Sequence, residues 1–97
     1  MIRAVVLDRL EQRLPELQAR YGVASLGLFG SVAKDTEGPD SDVDLLVEFI
    51  GEPTFARYMG LKEDLEALLA RRVDLVTTTG LKPRIRERVL AELIHVS

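Results

Sequence analysis

Three aspartates set the range of chemistry open to this sequence. Asp42 and Asp44 are one residue apart in the run Asp-Val-Asp-Leu-Leu-Val-Glu-Phe at 42–49, and Asp74 lies in Val73-Asp74-Leu75, with the same alternation of acidic and apolar residues. Successive side chains of a strand point to opposite faces, so Asp42 and Asp44 share one face while Val43, Leu45, Val47 and Phe49 take the other. The Cα atoms of the two aspartates are then about 6.5–7 Å apart, since a strand rises ~3.3 Å per residue. Carboxylates at that spacing can converge on a pair of divalent cations, or on one cation from two sides. Ionised together without a cation they repel, and one tends to protonate. Oxygen-only ligands with space for water and phosphate suit Mg²⁺ rather than zinc. Gly30-Ser31 adds a second chemistry. Glycine lets a phosphate approach the backbone, amides at a helix start bind its oxygens, and Ser31 supplies a hydroxyl.

Taken singly, each feature has an ordinary reading. An Asp-x-Asp on a strand is usually a solvated sheet face, Gly-Ser after a strand is usually a turn, and Asp74 could simply pair with Arg71 or Arg72. The ordered set is more specific, and it constrains the elements that must carry it. Residues 24–30 read as a buried strand, 42–49 as a second and 73–77 as a third. For Gly30 and Asp42 to reach the same end of a sheet, the first two strands must run antiparallel. The ten residues from Val32 to Ser41 are long enough for that return, and Ala33 to Ser41 has loop chemistry, after at most one helical turn. A helix from about Thr54 to Ala70, with Phe55, Tyr58, Leu61, Leu65 and Leu68 as its apolar stripe, is a sufficient crossover for a parallel second and third strand. Asp74 then joins Asp42 and Asp44 on one face.

The flanking segments are helical. Leu7, Leu10, Leu14, Leu17 and Tyr21 fall on one helix face, with Gly22 as a stop. Pro15 predicts a kink or two short helices in register. Pro83 suits the first turn of a last helix whose buried face is Ile85, Val89 and Leu93, with Leu90 and Ile94 beside them. His95 is expected frayed and solvated, Tyr21 and Tyr58 are expected in the core with wet hydroxyls, and Arg84, Arg86 and Arg88 are expected to pair locally with Glu87 and Glu92. The fold class is therefore α/β (α+β), a small mixed sheet with helices packed mainly on one face.

Ninety-seven residues make a single domain, 1–97, too small for a second substrate-binding lobe. The formal net charge of −3 argues against direct nucleic-acid binding. Without cysteine there is no disulfide framework or thiolate metal site, which is compatible with a cytoplasmic location. Apolar runs such as Leu45-Leu46-Val47 are far short of a membrane span, and no signal peptide is expected before Asp8.

Leu28-Phe29-Gly30-Ser31-Val32-Ala33 together with Ser41-Asp42-Val43-Asp44-Leu45-Leu46-Val47 resembles the signature of the polymerase-β-type nucleotidyltransferase superfamily. The short chain is similar to the superfamily's minimal nucleotidyltransferase (MNT) branch, antitoxins of HEPN/MNT toxin–antitoxin pairs. The resemblance implies a polymerase-β-like fold, with Gly30 and Ser31 on the nucleotide phosphates, Asp42 and Asp44 as metal ligands, and Asp74 as a third carboxylate that helps activate an attacking hydroxyl. Where family members often carry Arg-Gly, this sequence has Lys34-Asp35. Lys34 still neutralises phosphate, as a point charge without the bidentate fork of arginine. The implied activity is Mg²⁺-dependent transfer of AMP from ATP to a hydroxyl side chain, a tyrosine, of a HEPN toxin, with two Mg²⁺ ions in the site. The alternative is a binding module that neutralises its partner by covering it, without catalysis.

Overall fold

Helix α1 (Arg3–Tyr21) turns Val6, Leu10, Leu14 and Leu17 into the core. It runs through Pro15 as one helix, not as two short ones. Pro15 and Glu11, whose carbonyl loses its donor, both lie on the exposed side, where water can take that carbonyl and the helix continues. Gly22, at φ 68°, closes α1 by donating to the Gln18 carbonyl at 2.9 Å. The computed structural model describes residues 2–97. After α1 come β1 (Val23–Phe29), α2 (Gly30–Lys34), β2 (Val43–Phe49), α3 (Phe55–Leu69), β3 (Val73–Thr77), a 3-10 turn at Thr78–Gly80, α4 (Pro83–Glu92) and β4 (Ile94–His95).

The strands form one mixed sheet in the order β3-β2-β1-β4. β1 is antiparallel to β2 and β4, and β2 is parallel to β3, so both expected pairings are present. The crossover helix α3 is capped before its first residue by Thr54, whose hydroxyl accepts from the Arg57 amide at 3.1 Å, and after its last by Ala70 in the left-handed region, φ 54°. Leu61, Leu65 and Leu69 are its buried residues, whereas Phe55 is 80% exposed. Phe55 lies roughly 80° around the helix from the centre of that leucine row, counting about 100° per residue, and so falls off the buried face.

The main core lies between α1, α3 and one sheet face. Leu26 and Leu28 of β1, Val43, Leu45 and Val47 of β2, and Val73 and Leu75 of β3 all join it. The opposite face carries Gly27, Leu46, Asp44 and Asp74, and α4 crosses it. Leu46 and Val89 are buried there, outside the main cluster. Leu93 sits directly on the β1 backbone: a Cβ on Gly27 would lie 2.5 Å from Leu93 Cδ1. The two long helices thus share one face, and only part of the other is covered.

The C-terminal segment departs from expectation. α4 stops at Glu92, and Ile94–His95 pairs with Gly27–Leu28 as a fourth strand, with the Val96 amide donating to the Leu26 carbonyl at 2.9 Å. An unpaired β1 edge offers a row of backbone donors and acceptors, and satisfying them outweighs one more turn of helix. His95 is exposed but lies on this strand, and Val96 is buried. On α4 only Val89 is buried, while Ile85 and Leu90 are each 49% exposed. Both tyrosines are partly buried against the core, and each hydroxyl has a partner in the chain: Tyr21 donates to Asp64 and Tyr58 to the Leu75 carbonyl. Among the described residues no helix is long and apolar enough to cross a membrane.

Candidate active site

The register of the sheet builds the site. Asp44 is the partner of Phe29 across the antiparallel pair and of Asp74 across the parallel pair. These three residues form a row across the sheet on the face opposite the main core. Gly30 follows Phe29 and opens α2 with φ 75°. It lies hard against Asp44: a Cβ there would meet the carboxylate, with Asp44 Cγ at 2.9 Å and Cβ at 3.1 Å. The phosphate motif and the central aspartate therefore touch through a position that only glycine fills without strain.

Asp42 sits just before β2 and is half-buried. Arg72 Nε lies 3.2 Å from its Oδ1. The arginine that the ordinary reading offered to Asp74 is thus given to Asp42, while Arg71 donates to the Ser41 carbonyl at 3.5 Å. Among the described residues no three metal-ligating side chains already converge on one point. Asp42 faces Arg72, and Asp44 lies beside Asp74 across the parallel strand pair. The donor chemistry still fits a hard cation such as Mg²⁺: oxygen alone, clustered at one end of the sheet, with mutual repulsion that a divalent ion would relieve.

That repulsion is visible at Asp44. Burial first, then the charges of Asp74 and Asp42, push its carboxyl up from the usual 3.8 to about 6. A carboxyl raised in the folded state stabilises the protein below its unfolded pKa, and this contribution is lost as pH rises through the folded pKa. In EDTA the wild type should therefore lose stability between about pH 4 and 7, and Asp44→Asn should not follow this part of the decline. Thermal melts across that range check it. A mutant that melts clearly below the wild type at pH 7 would show that the ionised Asp44 has a stabilising partner.

Residues 7–96 match the nucleotidyltransferase domain family. The chain belongs to this family. Protein adenylyltransferase MntA of Thermococcus cleftensis is 46% identical to it over 81 residues, covering 84% of this chain and 82% of that protein. A solved structure assigned to the minimal nucleotidyltransferases superposes with TM-score 0.77 at 44% identity, covering 91% of this chain and 93% of the other. A chain from the Shewanella oneidensis complex of tri-AMPylated HEPN toxin with MNT antitoxin gives TM-score 0.68 at 18% identity, over 94% of this chain and 71% of that one. At that identity the likeness is of fold alone.

In this nucleotidyltransferase the two remaining motif residues lie on α2: Ser31 follows Gly30 in its first turn, and Lys34 ends it, 3.0 Å from Glu92 Oε1. Arg88 Nε approaches the same oxygen at 3.7 Å. Lys34 above all, then the Gly30 amide and Arg88, hold the Glu92 carboxyl below its ordinary value. The sequence showed Glu92 only as part of a solvated ion-pair face, and its spacing of four from Arg88 was the one signal that it carried. Two clefts flank the row of aspartates. One, of about 340 Å³, is polar and includes Ser41, Asp42, Arg71 and Arg72. The other, of about 270 Å³, runs between the sheet and α4, from Asp74 and Phe29 to Leu81, Ile85 and Val89, with Lys82 beside them.

Proposed function

We propose that this nucleotidyltransferase is a protein adenylyltransferase that moves AMP from ATP to a hydroxyl side chain, a tyrosine, of a HEPN-type toxin and so acts as its antitoxin. The observation that carries this is the placement of Asp44 beside Asp74 and against Gly30, supported by 46% identity to the Thermococcus adenylyltransferase. Gly30, Ser31 and Lys34 bind the triphosphate. Asp42, Asp44 and Asp74 would hold Mg²⁺, two ions by the family resemblance, which would supply neutralisation of charge on the attacking and leaving oxygens. The acceptor oxygen attacks the α-phosphorus, the bond from that phosphorus to the β-phosphate oxygen breaks, and pyrophosphate leaves. Asp74 takes the hydroxyl proton. It is exposed and lines the apolar cleft, so an acceptor ring can approach it there.

Charge points to a protein acceptor, since a net charge of −3 disfavours a free polynucleotide. An added AMP brings charge and bulk to the modified residue and can block an RNA-cleaving site. Incubating the chain with ATP, Mg²⁺ and the partner toxin should raise the toxin's intact mass by whole AMP increments. The masking alternative is favoured by one observation, that Asp42 and Lys34 already have counter-ions within the chain. A tight complex without any mass increment would select masking.

A further inference from the structure

We propose that Glu92 is a resident anion of the site, competing with a triphosphate for Lys34. The inference rests on the phosphate-binding role proposed for Lys34 and adds a residue that the nucleotidyltransferase motif does not contain. Lys34 and Glu92 are 58 positions apart in the chain, yet Nζ and Oε1 meet at 3.0 Å. Glu92 is the enclosed member of the pair, its side chain 19% exposed against 46% for Lys34. Its position is set by the fold on both sides. It is the last residue of α4, Leu93 after it is seated on Gly27, and Ile94 is paired with Leu28. Its charge also acts on Asp44, so it belongs electrostatically to the row of aspartates.

Exchange of anions at Lys34 is feasible for two reasons. A lysine–carboxylate pair open to water on one side is weak, whereas a triphosphate brings several negative charges to the same ammonium group. Glu92, once displaced, keeps a cation, because Arg88 precedes it by one helical turn and already lies 3.7 Å from its carboxylate. The ion pair therefore sets a threshold: a ligand gains Lys34 only by out-competing the carboxylate. Removing that carboxylate should tighten binding of any polyphosphate that uses Lys34.

The test is calorimetry of the full chain with inorganic tripolyphosphate in EDTA and, in parallel, with Mg²⁺ and a non-hydrolysable ATP analogue. Glu92→Gln should tighten tripolyphosphate binding about two- to fivefold, the loss of one exposed pair. Glu92→Asp keeps the charge but withdraws it from Lys34, and it should tighten binding too. In a Lys34→Gln background neither change should have an effect. Unchanged or weaker binding in both Glu92 variants overturns the inference. An equal gain without Lys34 does so as well, since it would reduce Glu92 to a distant repulsive charge. Nucleotide binding that is intact in the wild type but insensitive to Glu92 leaves the proposed function standing and removes this inference alone. No binding by any variant, with or without Mg²⁺, overturns both.

Discussion

Replacing Asp42 and Asp44 together with asparagine should abolish nucleotidyl transfer, by at least about a thousandfold, and leave the fold intact. Loss of a charge-stabilising group at a reacting centre costs roughly 10²–10³ in rate, and here two of the three clustered carboxylates are neutralised at once. Folding should tolerate the change. Asparagine keeps the shape of aspartate, Asp42 is paired with the exposed Arg72, and Asp44 is a source of repulsion in the protein without a cation. Intact-mass measurement of the acceptor protein reads the loss, with thermal melts confirming a folded variant. Transfer at more than a few per cent of the wild-type rate would remove the two aspartates from the catalytic set. The same variant separates the two antitoxin readings, since full protection of cells by it would mean that covering the toxin suffices.

Gly30→Ala should cost about 2–5 kcal/mol of stability and transfer activity along with it. A non-glycine residue at φ 75° carries a penalty of roughly 1–2 kcal/mol. Crowding of the new methyl group against Asp44 adds about 1–3 kcal/mol more. Both Cγ and Cβ of Asp44 are in the way, so a rotation of the carboxylate alone gives no relief. Gly51 supplies the control. Its φ is 71°, but nothing lies within 4 Å of a Cβ built there. Gly51→Ala should show only the backbone penalty and full transfer. Urea unfolding of the two variants measures the difference, and equal losses would mean that the contact between Gly30 and Asp44 is not tight.

What could be read ahead of the structure was whatever short-range alternation or a local breaker encodes. The parity of Asp44 and Asp74 placed them on one sheet face, and the length of the 54–70 segment implied the parallel crossover that makes them neighbours, whereas Asp42, read as the first residue of the strand, lies just before it. Thr54 and Ala70 lie one residue outside the helix because they are its caps. The misses have the opposite character. Ile94 and His95 form a strand only because β1 presents an unpaired edge, a property of the assembled sheet and not of either residue. Glu92 is an unremarkable i,i+4 partner of Arg88 until folding brings α4 against α2. Phe55 satisfies the helical pattern loosely, yet the row through Leu61, Leu65 and Leu69 leaves it outside. Arg72 chose Asp42 over Asp74 because Asp42 lies before β2, within reach of the loop that ends α3.

The thin anchoring of the C-terminal segment means that this molecule is not held together evenly. β2 is paired on both sides and carries Val43, Leu45 and Val47 into the main core, so its amides should exchange with solvent only when the whole domain unfolds. α4 contributes one buried residue and β4 two paired ones. Together they should open at lower cost than the rest of the sheet, drawing Val96 out of the core and exposing Leu46 and the β1 edge. Glu92 rides on that segment.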